Sequence, residues 1–296
     1  MTARPNNRRS RWITGWITGC AALLICASSN AEDTPQHSHL TPISIIIDDI
    51  GDHHASGERA IHLPGAVTYA ILPHTPFSKL LARAAHHNGK EVMIHLPMES
   101  MDGHKLGPGG LTLSMTHSEF DNTLHAAIDA VPHAIGLNNH MGSLLTRHSD
   151  QMAWLMNGII ERSLNYFIDS RTTRHTVALQ VALEHQIPTR KRDVFLDDDP
   201  SPAAIEAQFQ RMIRVAKKHG SAIAIGHPYD TTLSLLEHHL PRLHQYGLKL
   251  VPVSQLIHAP TPPRQYLAET PKTSNKTSLV LNHHTPIHPP SQRLNY

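Results

Sequence analysis

Side chains of the kinds that perform hydrolysis follow six separate apolar runs in this chain. The first run, at 45–47, ends in the adjacent carboxylates Asp48 and Asp49. Polar residues also follow the later runs, at His95, Glu99, Asn138, Asn139, His140, Asp169, Arg171, Asp197 and His227. Carboxylates and imidazoles are the usual general acids, general bases and metal ligands. Because polar residues of these kinds follow six apolar runs, we expect them to form one shared site. Taken by itself, Asp197 would more commonly cap a helix or lie in a turn.

The adjacent carboxylates Asp48 and Asp49 are predicted to have different roles. Neighbouring side chains of a strand point to opposite faces, but both can reach one site where the chain turns at the strand end. Two adjacent carboxylates repel one another unless a cation holds one of them. The pair therefore predicts one carboxylate bound to a metal and the other free to act as a base.

His95 and His140 supply the nitrogen ligands that such a metal would need. Two imidazoles and one aspartate form an N,N,O set, which is typical of a Zn²⁺ site that keeps its fourth position open for water. A cation of this kind lowers the pKa of bound water towards about 7 and polarises a carbonyl group. We therefore predict a divalent metal, Zn²⁺, at this set. Packing at the rim is the alternative role for His95.

The elements that must position these residues follow from the apolar patterns. Helical spacing occurs over 116–131 behind a Thr116-x-x-Glu119 capping box, over 152–160, and over 201–216 behind Ser201 and Pro202. Strands are predicted at 43–48, 66–72, 91–96, 134–138, 166–169, 193–196, 221–226 and 248–253.

Strand–helix alternation repeated seven or eight times predicts an α/β fold with a parallel sheet covered by helices. A domain of about 215 residues suits an irregular (β/α) barrel of seven to eight strands, whose carboxyl strand ends share one rim. A doubly wound open sheet is the alternative. No glycine-rich phosphate loop follows the first strand, which disfavours that alternative.

The first 31 residues have the pattern of an export signal. Three arginines at 8–11 precede an uncharged, mostly apolar run over 12–27, and small residues at 29 and 31 predict cleavage after Ala31. Retention as a membrane anchor is the alternative, although the run is shorter than the ~20 residues of a spanning helix. A lipoprotein signal at Cys20 is disfavoured because the apolar run continues beyond it. We predict a periplasmic or secreted protein with no stable membrane span after signal removal.

The positions of the cysteines, the domain boundaries and the net charge further limit what kind of protein this can be. Both cysteines, Cys20 and Cys26, lie in the signal, so the mature chain has neither a disulfide nor a thiolate ligand. Residues 32–41 are predicted to be a linker, 42–258 one domain, and 259–296 a disordered tail. Lys and Arg total 26 against 24 Asp and Glu, a formal net charge of +2. This balance predicts no nucleic-acid partner.

Six motifs occur in order through nearly all of 42–258. They read Ile-Ile-Ile-Asp-Asp-Ile-Gly at 45–51, His-Leu-Pro-Met-Glu at 95–99, Gly-Leu-Asn-Asn-His-Met-Gly-Ser at 136–143, Phe-Ile-Asp-Ser-Arg-Thr at 167–172, Asp-Val-Phe-Leu-Asp at 193–197 and Ala-Ile-Gly-His-Pro at 224–228. Together they resemble the divergent polysaccharide deacetylase family. That family is similar to the carbohydrate esterases built on the NodB-type fold, an irregular (β/α) barrel with a divalent metal.

The resemblance implies a role for each matching residue. Asp48 corresponds to the catalytic base, Asp49 to a metal ligand and His227 to the general acid. Asp169 corresponds to a carboxylate that tunes the catalytic groups, and Arg171 follows close by.

The ligand set departs from that of the parent superfamily, which uses a His-x-x-x-His pair after the third strand. Here His95 stands at the first position of the pair and Glu99 at the second. Either Glu99 is an oxygen ligand, or His140 supplies the missing imidazole. Asn139 and Arg171 are further candidates for contact with the metal or the substrate.

The resemblance implies a metal-dependent deacetylase that hydrolyses N- or O-acetyl groups of an envelope polysaccharide or peptidoglycan. The alternative is a catalytically quiet periplasmic protein with the same fold that binds glycan or assists cell-wall enzymes. Aromatic residues make up only 5% of the chain, and Trp154 is the one tryptophan after the signal. Exposed aromatic platforms for sugars are therefore not expected.

Overall fold

A computed structural model describes residues 40–257. The predicted signal at 1–31, most of the linker and the predicted tail at 259–296 lie outside the described residues. Within 40–257, no helix is both long and apolar enough to cross a membrane.

Within residues 40–257, nine strands form one parallel sheet. We number them β1 to β9 in chain order: Thr41–Ile50, Thr68–Ile71, Glu91–Met98, Ala134–Met141, Tyr166–Asp169, Thr189–Lys191, Val194–Phe195, Ala222–Gly226 and Leu248–Leu250.

Seven α-helices of the described segment connect or follow the strands. They are α1 to α7: His54–Ile61, Ser78–His87, His117–Ala130, Ser149–Glu161, Ala178–Glu184, Pro202–His219 and Asp230–His239. Three short 3-10 helices complete the described chain, at Leu145–Arg147, Leu240–Tyr246 and Val253–Leu256.

The strand order distinguishes a barrel from an open sheet. The strands run β6-β5-β4-β3-β2-β1-β8-β7, with β9 paired to the start of β1. The two ends of this order, β6 and β7, are separated in the chain only by Arg192 and Asp193. A link of two residues spans only a short distance, so the sheet must curl until its edges approach. This confirms the predicted irregular (β/α) barrel; no ladder joins β6 to β7 among the described residues.

Strand β1 lies inside the sheet, between β2 and β8, and its isoleucines are buried on both faces. Ile43, Ile45 and Ile47 belong to the larger hydrophobic cluster, which includes the helices, whereas Ile46 belongs to a second cluster with residues of β5 and β8. A strand buried on both faces reads as a nearly continuous apolar run, as 43–47 does here apart from the buried Ser44. The first polar residues after that run therefore lie where the core ends.

Helix α3 begins at Thr116 as its capping box predicts, with reciprocal hydrogen bonds to Glu119. Helix α6 begins after Ser201, but the Ser201 side chain makes no capping hydrogen bond; the Ser201 amide instead donates to Asp199 Oδ1 at 2.9 Å. Strand β6 was not predicted, because the three residues Thr189–Lys191 carry no apolar run.

Candidate metal centre and active site

A bulge at the end of β1 directs both adjacent carboxylates to one site. The pairing of β1 with β2 shifts between Ile47 and Ile50, and Asp49 has a φ of 57°. In a regular strand, neighbouring side chains point to opposite faces of the sheet. A left-handed residue inside a bulge changes their direction, so that neighbours can point to the same side. As a result His95 Nε2 lies 3.6 Å from Asp48 Oδ2 and 3.1 Å from Asp49 Oδ1.

Asp49, His95 and His140 bring three potential ligand atoms together. Asp49 Oδ1 lies 3.1 Å from His95 Nε2 and 2.9 Å from His140 Nδ1, and the two nitrogens are 3.1 Å apart. Ligands about 2.0–2.1 Å from a tetrahedral zinc lie roughly 3.3 Å from one another. The three atoms are therefore spaced as a divalent cation requires.

Asp49 Oδ1 has the surroundings of a metal ligand rather than of a hydrogen-bond acceptor. It is buried, and no hydrogen of suitable geometry reaches it within 40–257, although two imidazole nitrogens approach it. Burial by itself raises the pKa of Asp49, but the contacts with His140 and His95 outweigh it and hold this pKa well below its usual range. An ionised, unpartnered oxygen facing two imidazoles fits a cation.

Asn138 holds the side chains of Asp48 and His95 in place together. Its Nδ2 donates to Asp48 Oδ1 at 2.8 Å, and its Oδ1 lies 2.8 Å from His95 Nδ1. Because Oδ1 can only accept, His95 carries its proton on Nδ1 and turns the lone pair of Nε2 towards Asp49. Such partners beyond the ligands fix imidazole orientation in metal sites.

Asp48 has the environment of a base. It is 3% exposed, and burial raises its pKa, although the charges of His95 and His227 act in the opposite direction. A carboxylate with a raised pKa accepts a proton more readily than a solvated one.

His227 is held by a buried carboxylate on the neighbouring strand end. Its Nδ1 lies 2.9 Å from Asp197 Oδ1, while Asp197 Oδ2 accepts from the His227 amide at 2.6 Å and from Thr232 Oγ1 at 2.7 Å. Burial lowers the pKa of His227, but the Asp197 hydrogen bond and nearby carboxylates raise it to about 9. His227 Nε2 faces the cluster, 3.8 Å from Asp49 Oδ2.

A cavity of about 210 Å³ joins these groups. Asp48, His95, His140 and His227 line it, and so does Ser170, whose buried Oγ has no hydrogen-bond partner in the described part of the chain. Ligand pockets that enclose a whole small molecule are usually about 300–1,000 Å³. This cavity suits a substituent that enters from a larger molecule outside.

Two predicted site residues do not join the cluster. Glu99 Oε2 accepts from the Leu113 amide at 2.7 Å, because the chain beyond β3 pairs with the segment at Leu111, and Glu99 is not among the clustered ligand atoms. Asp169 accepts from the Arg171 amide at 2.8 Å and from Thr176 Oγ1 at 3.0 Å. Its carboxylate therefore orders the loop after β5, and the carboxylate that tunes His227 is Asp197.

Asn139 and Arg171 lie at the rim with different roles. Asn139 lines the cavity, yet its Oδ1 accepts from the Ser170 amide and its Nδ2 donates to the Met141 carbonyl, so it joins two loops. Arg171 is exposed and lines a neighbouring cavity.

The sequence pattern does not predict that Asp197 and Asn138 hold other residues of the site in place. The available signal was that Asp197 and His227 both end apolar runs. The adjacency of β7 and β8, which makes them partners, is a tertiary feature.

A parallel (β/α) barrel whose rim carries an Asp-His-His cluster, a buried carboxylate and an imidazole held by a second carboxylate belongs to the class of barrel proteins with a candidate active site at the carboxyl ends of the strands. Within that class, this chain belongs to the divergent polysaccharide deacetylase family, whose model matches residues 45–257. The family resemblance of the six motifs is thereby confirmed.

The chain is also similar to two uncharacterized relatives and to one solved structure. The uncharacterized protein YibQ of Escherichia coli (strain K12) is 34% identical over 252 residues, which cover 83% of this chain and 78% of YibQ. An uncharacterized protein of Haemophilus influenzae is 36% identical over 214 residues, 72% of this chain and 76% of that protein. The crystal structure of an uncharacterized protein from Agrobacterium tumefaciens C58 has a TM-score of 0.70 at 22% identity, covering 73% of this chain and 89% of that one. The last match shows the fold.

Proposed function

We propose that this protein is a zinc-dependent deacetylase that hydrolyses N- or O-acetyl groups on an envelope polysaccharide. The observation that carries the proposal is the cluster of Asp49, His95 and His140. The two histidines of this cluster line one cavity together with Asp48 and His227. Membership of the deacetylase family supports the substrate class. The export signal predicted from the sequence is consistent with action in the periplasm or outside the cell, on the glycan of the envelope.

Asp49, His95 and His140 would hold the cation. When bound there, a divalent cation polarises the acetyl carbonyl and makes water more acidic. Asp48 takes a proton from the attacking water, and its buried position beside Asn138 keeps its carboxylate directed into the cavity. His227 Nε2 donates a proton to the departing amine or alkoxide, so that acetate and the free sugar group are the products.

The quiet glycan-binding alternative receives less support from the geometry. His140 completes an N,N,O set without a second histidine at position 99. Trp154 packs against Phe120 and His117, with ring centroids 5.5 and 4.7 Å apart, and is therefore engaged with the protein's own rings rather than presented as a free sugar platform.

Acetate release is the direct test of the proposal. The protein is stripped with a chelator and assayed on N-acetylglucosamine oligomers, O-acetylated glycan and peptidoglycan, with and without one equivalent of Zn²⁺. We expect acetate only from the zinc-loaded protein, because the N,N,O cluster alone lacks a Lewis acid. A folded, zinc-loaded protein that binds these glycans and releases no acetate would support the quiet alternative and contradict the proposal.

Replacing Asp197 by Asn should narrow the alkaline range of activity. The acid His227 must be protonated, so activity falls as pH rises through its pKa, which Asp197 raises. Loss of that negative charge moves the alkaline limb of the kcat/KM profile to lower pH, while Asn retains an acceptor for the Thr232 hydroxyl. Profiles between about pH 6 and 10 and an NMR titration of His227 measure this shift. Asp121→Asn, on the outer helix α3, is the control; an unmoved limb in Asp197→Asn would contradict the role of Asp197.

A further inference from the structure

A second cavity adjoins the catalytic one on the same rim. Its volume is about 500 Å³, and four arginines line it: Arg171, Arg174, Arg192 and Arg211. They come from the loop after β5, the link between β6 and β7, and helix α6. Three separate segments thus deliver the same kind of cation to one space.

The positive charge of this cavity is only partly neutralised. Among the described residues, no carboxylate forms an ion pair with Arg171, Arg174 or Arg211. The wall contains two carboxylates: Asp193 is paired with Arg190 at 3.0 Å, and Asp198 forms no ion pair within 40–257, so four arginines face two carboxylates. The nearest polar partners of two of these guanidinium groups are neutral or weakly basic. Arg211 Nη1 lies 3.4 Å from Gln208 Oε1, and Arg174 Nε lies 3.1 Å from His175 Nε2.

Arg192 is held in place where the two cavities meet. Its Nε donates to the Ser170 carbonyl at 2.7 Å and its Nη2 to the Arg171 carbonyl at 3.2 Å. The guanidinium also stacks over Phe195, 4.4 Å from the ring centroid. A planar guanidinium fixed in this way loses little conformational entropy when it binds an anion.

The walls of the two cavities are shared. Thr172, Arg192 and Phe195 line both of them. A molecule whose acetyl group enters the smaller cavity therefore extends past these residues into the larger one. A neutral sugar would bring no negative charge to the four guanidinium groups there.

We propose that the arginine-lined cavity is a subsite for an anionic group, a carboxylate or a phosphate, carried by the same glycan that presents the acetyl group. Guanidinium groups bind both kinds of anion through paired, charge-assisted hydrogen bonds. This proposal rests on the proposed deacetylase function, and it narrows the substrate class from acetylated glycans to acidic acetylated glycans.

The test compares three substrates of equal length. One is a neutral N-acetylglucosamine tetramer, one carries lactyl carboxylates on alternate sugars, and one carries a sugar phosphate. The zinc-loaded protein should show a higher kcat/KM on one or both acidic substrates than on the neutral one, and the acidic substrate with the higher kcat/KM identifies the anion.

In the variants Arg211→Gln and Arg174→Gln, the ratio of the kcat/KM on acidic substrates to that on the neutral substrate should fall roughly tenfold, mainly through KM. Arg214→Gln, exposed on the same helix α6 but outside the cavity, is the matched control and should keep the wild-type ratio.

Calorimetric binding of the same three glycans separates this proposal from the deacetylase function. If no glycan releases acetate, the proposed function fails, while tighter binding of an acidic glycan that is lost in Arg211→Gln still supports the subsite. Acetate release with equal kcat/KM on all three substrates would overturn the subsite alone. An acidic preference that both cavity variants retain would also overturn it.

Discussion

Replacement of Asp48 by Asn is expected to lower kcat by about a thousandfold, because a positioned general base contributes 10²–10⁴-fold. The amide cannot accept the proton of the attacking water at neutral pH, yet it retains the shape of the carboxylate. Its oxygen can still accept from Asn138 Nδ2, which lies 2.8 Å from Asp48 Oδ1. We therefore expect the fold, the zinc content and the KM to change little.

The measurement is acetate release by zinc-loaded Asp48→Asn beside wild-type protein. Asp52→Asn is the matched control, since Asp52 is an exposed carboxylate four positions further along the chain. A variant that keeps a near wild-type kcat would contradict the role of Asp48 as base. If the variant also loses zinc, its loss of activity has another cause, so metal content is determined on the same sample.

Replacement of His140 by Ala is expected to weaken zinc binding by at least about 100-fold. Loss of a residue that merely orients a ligand already costs 10–100-fold in metal affinity, and the loss of a ligand costs more. His140 Nδ1 lies 2.9 Å from Asp49 Oδ1 and 3.1 Å from His95 Nε2, so its removal opens one side of the cluster. Activity at limiting zinc should fall in parallel with occupancy.

Competition with a chromophoric chelator gives the affinities. His148→Ala is the control for adventitious zinc on surface imidazoles, because His148 is exposed and makes no capping hydrogen bond. Glu99→Gln tests the other candidate ligand. The Glu99 carboxylate accepts from the Leu113 amide, so this variant should bind zinc as the wild type does. Unchanged affinity in His140→Ala, or a large loss in Glu99→Gln, would reverse the assignment.

The fold could be predicted from sequence because its main signals are local. A run such as 43–47, apolar at every position except the buried Ser44, predicts a strand buried on both faces, and the polar residues that follow it mark the carboxyl end. Asp48, Asp49, His95, His140 and His227 were all found in this way. Strand β6 and the exact bounds of β1, which extends to Ile50 through its bulge, carry no such pattern.

The partners within the site depend on register between strands that are distant in sequence. Pairing of β3 with β4 sets His95 opposite Asn138 and Pro97 opposite His140, which brings His140 to the cluster. Glu99, only four residues from His95, lies beyond that ladder and follows the segment at Leu111 instead. Sequence spacing alone could not choose between these two residues.

The sequence by itself determined which residue types reach the rim, because alternation, burial and strand ends are properties of short segments. Only the tertiary structure decided which of them act together: His140 rather than Glu99 beside Asp49, and Asp197 rather than Asp169 behind His227. The physical reason is that a hydrogen bond or a metal contact needs atoms about 2–3 Å apart, and this precision comes from strand register and the bulge in β1 rather than from local propensity.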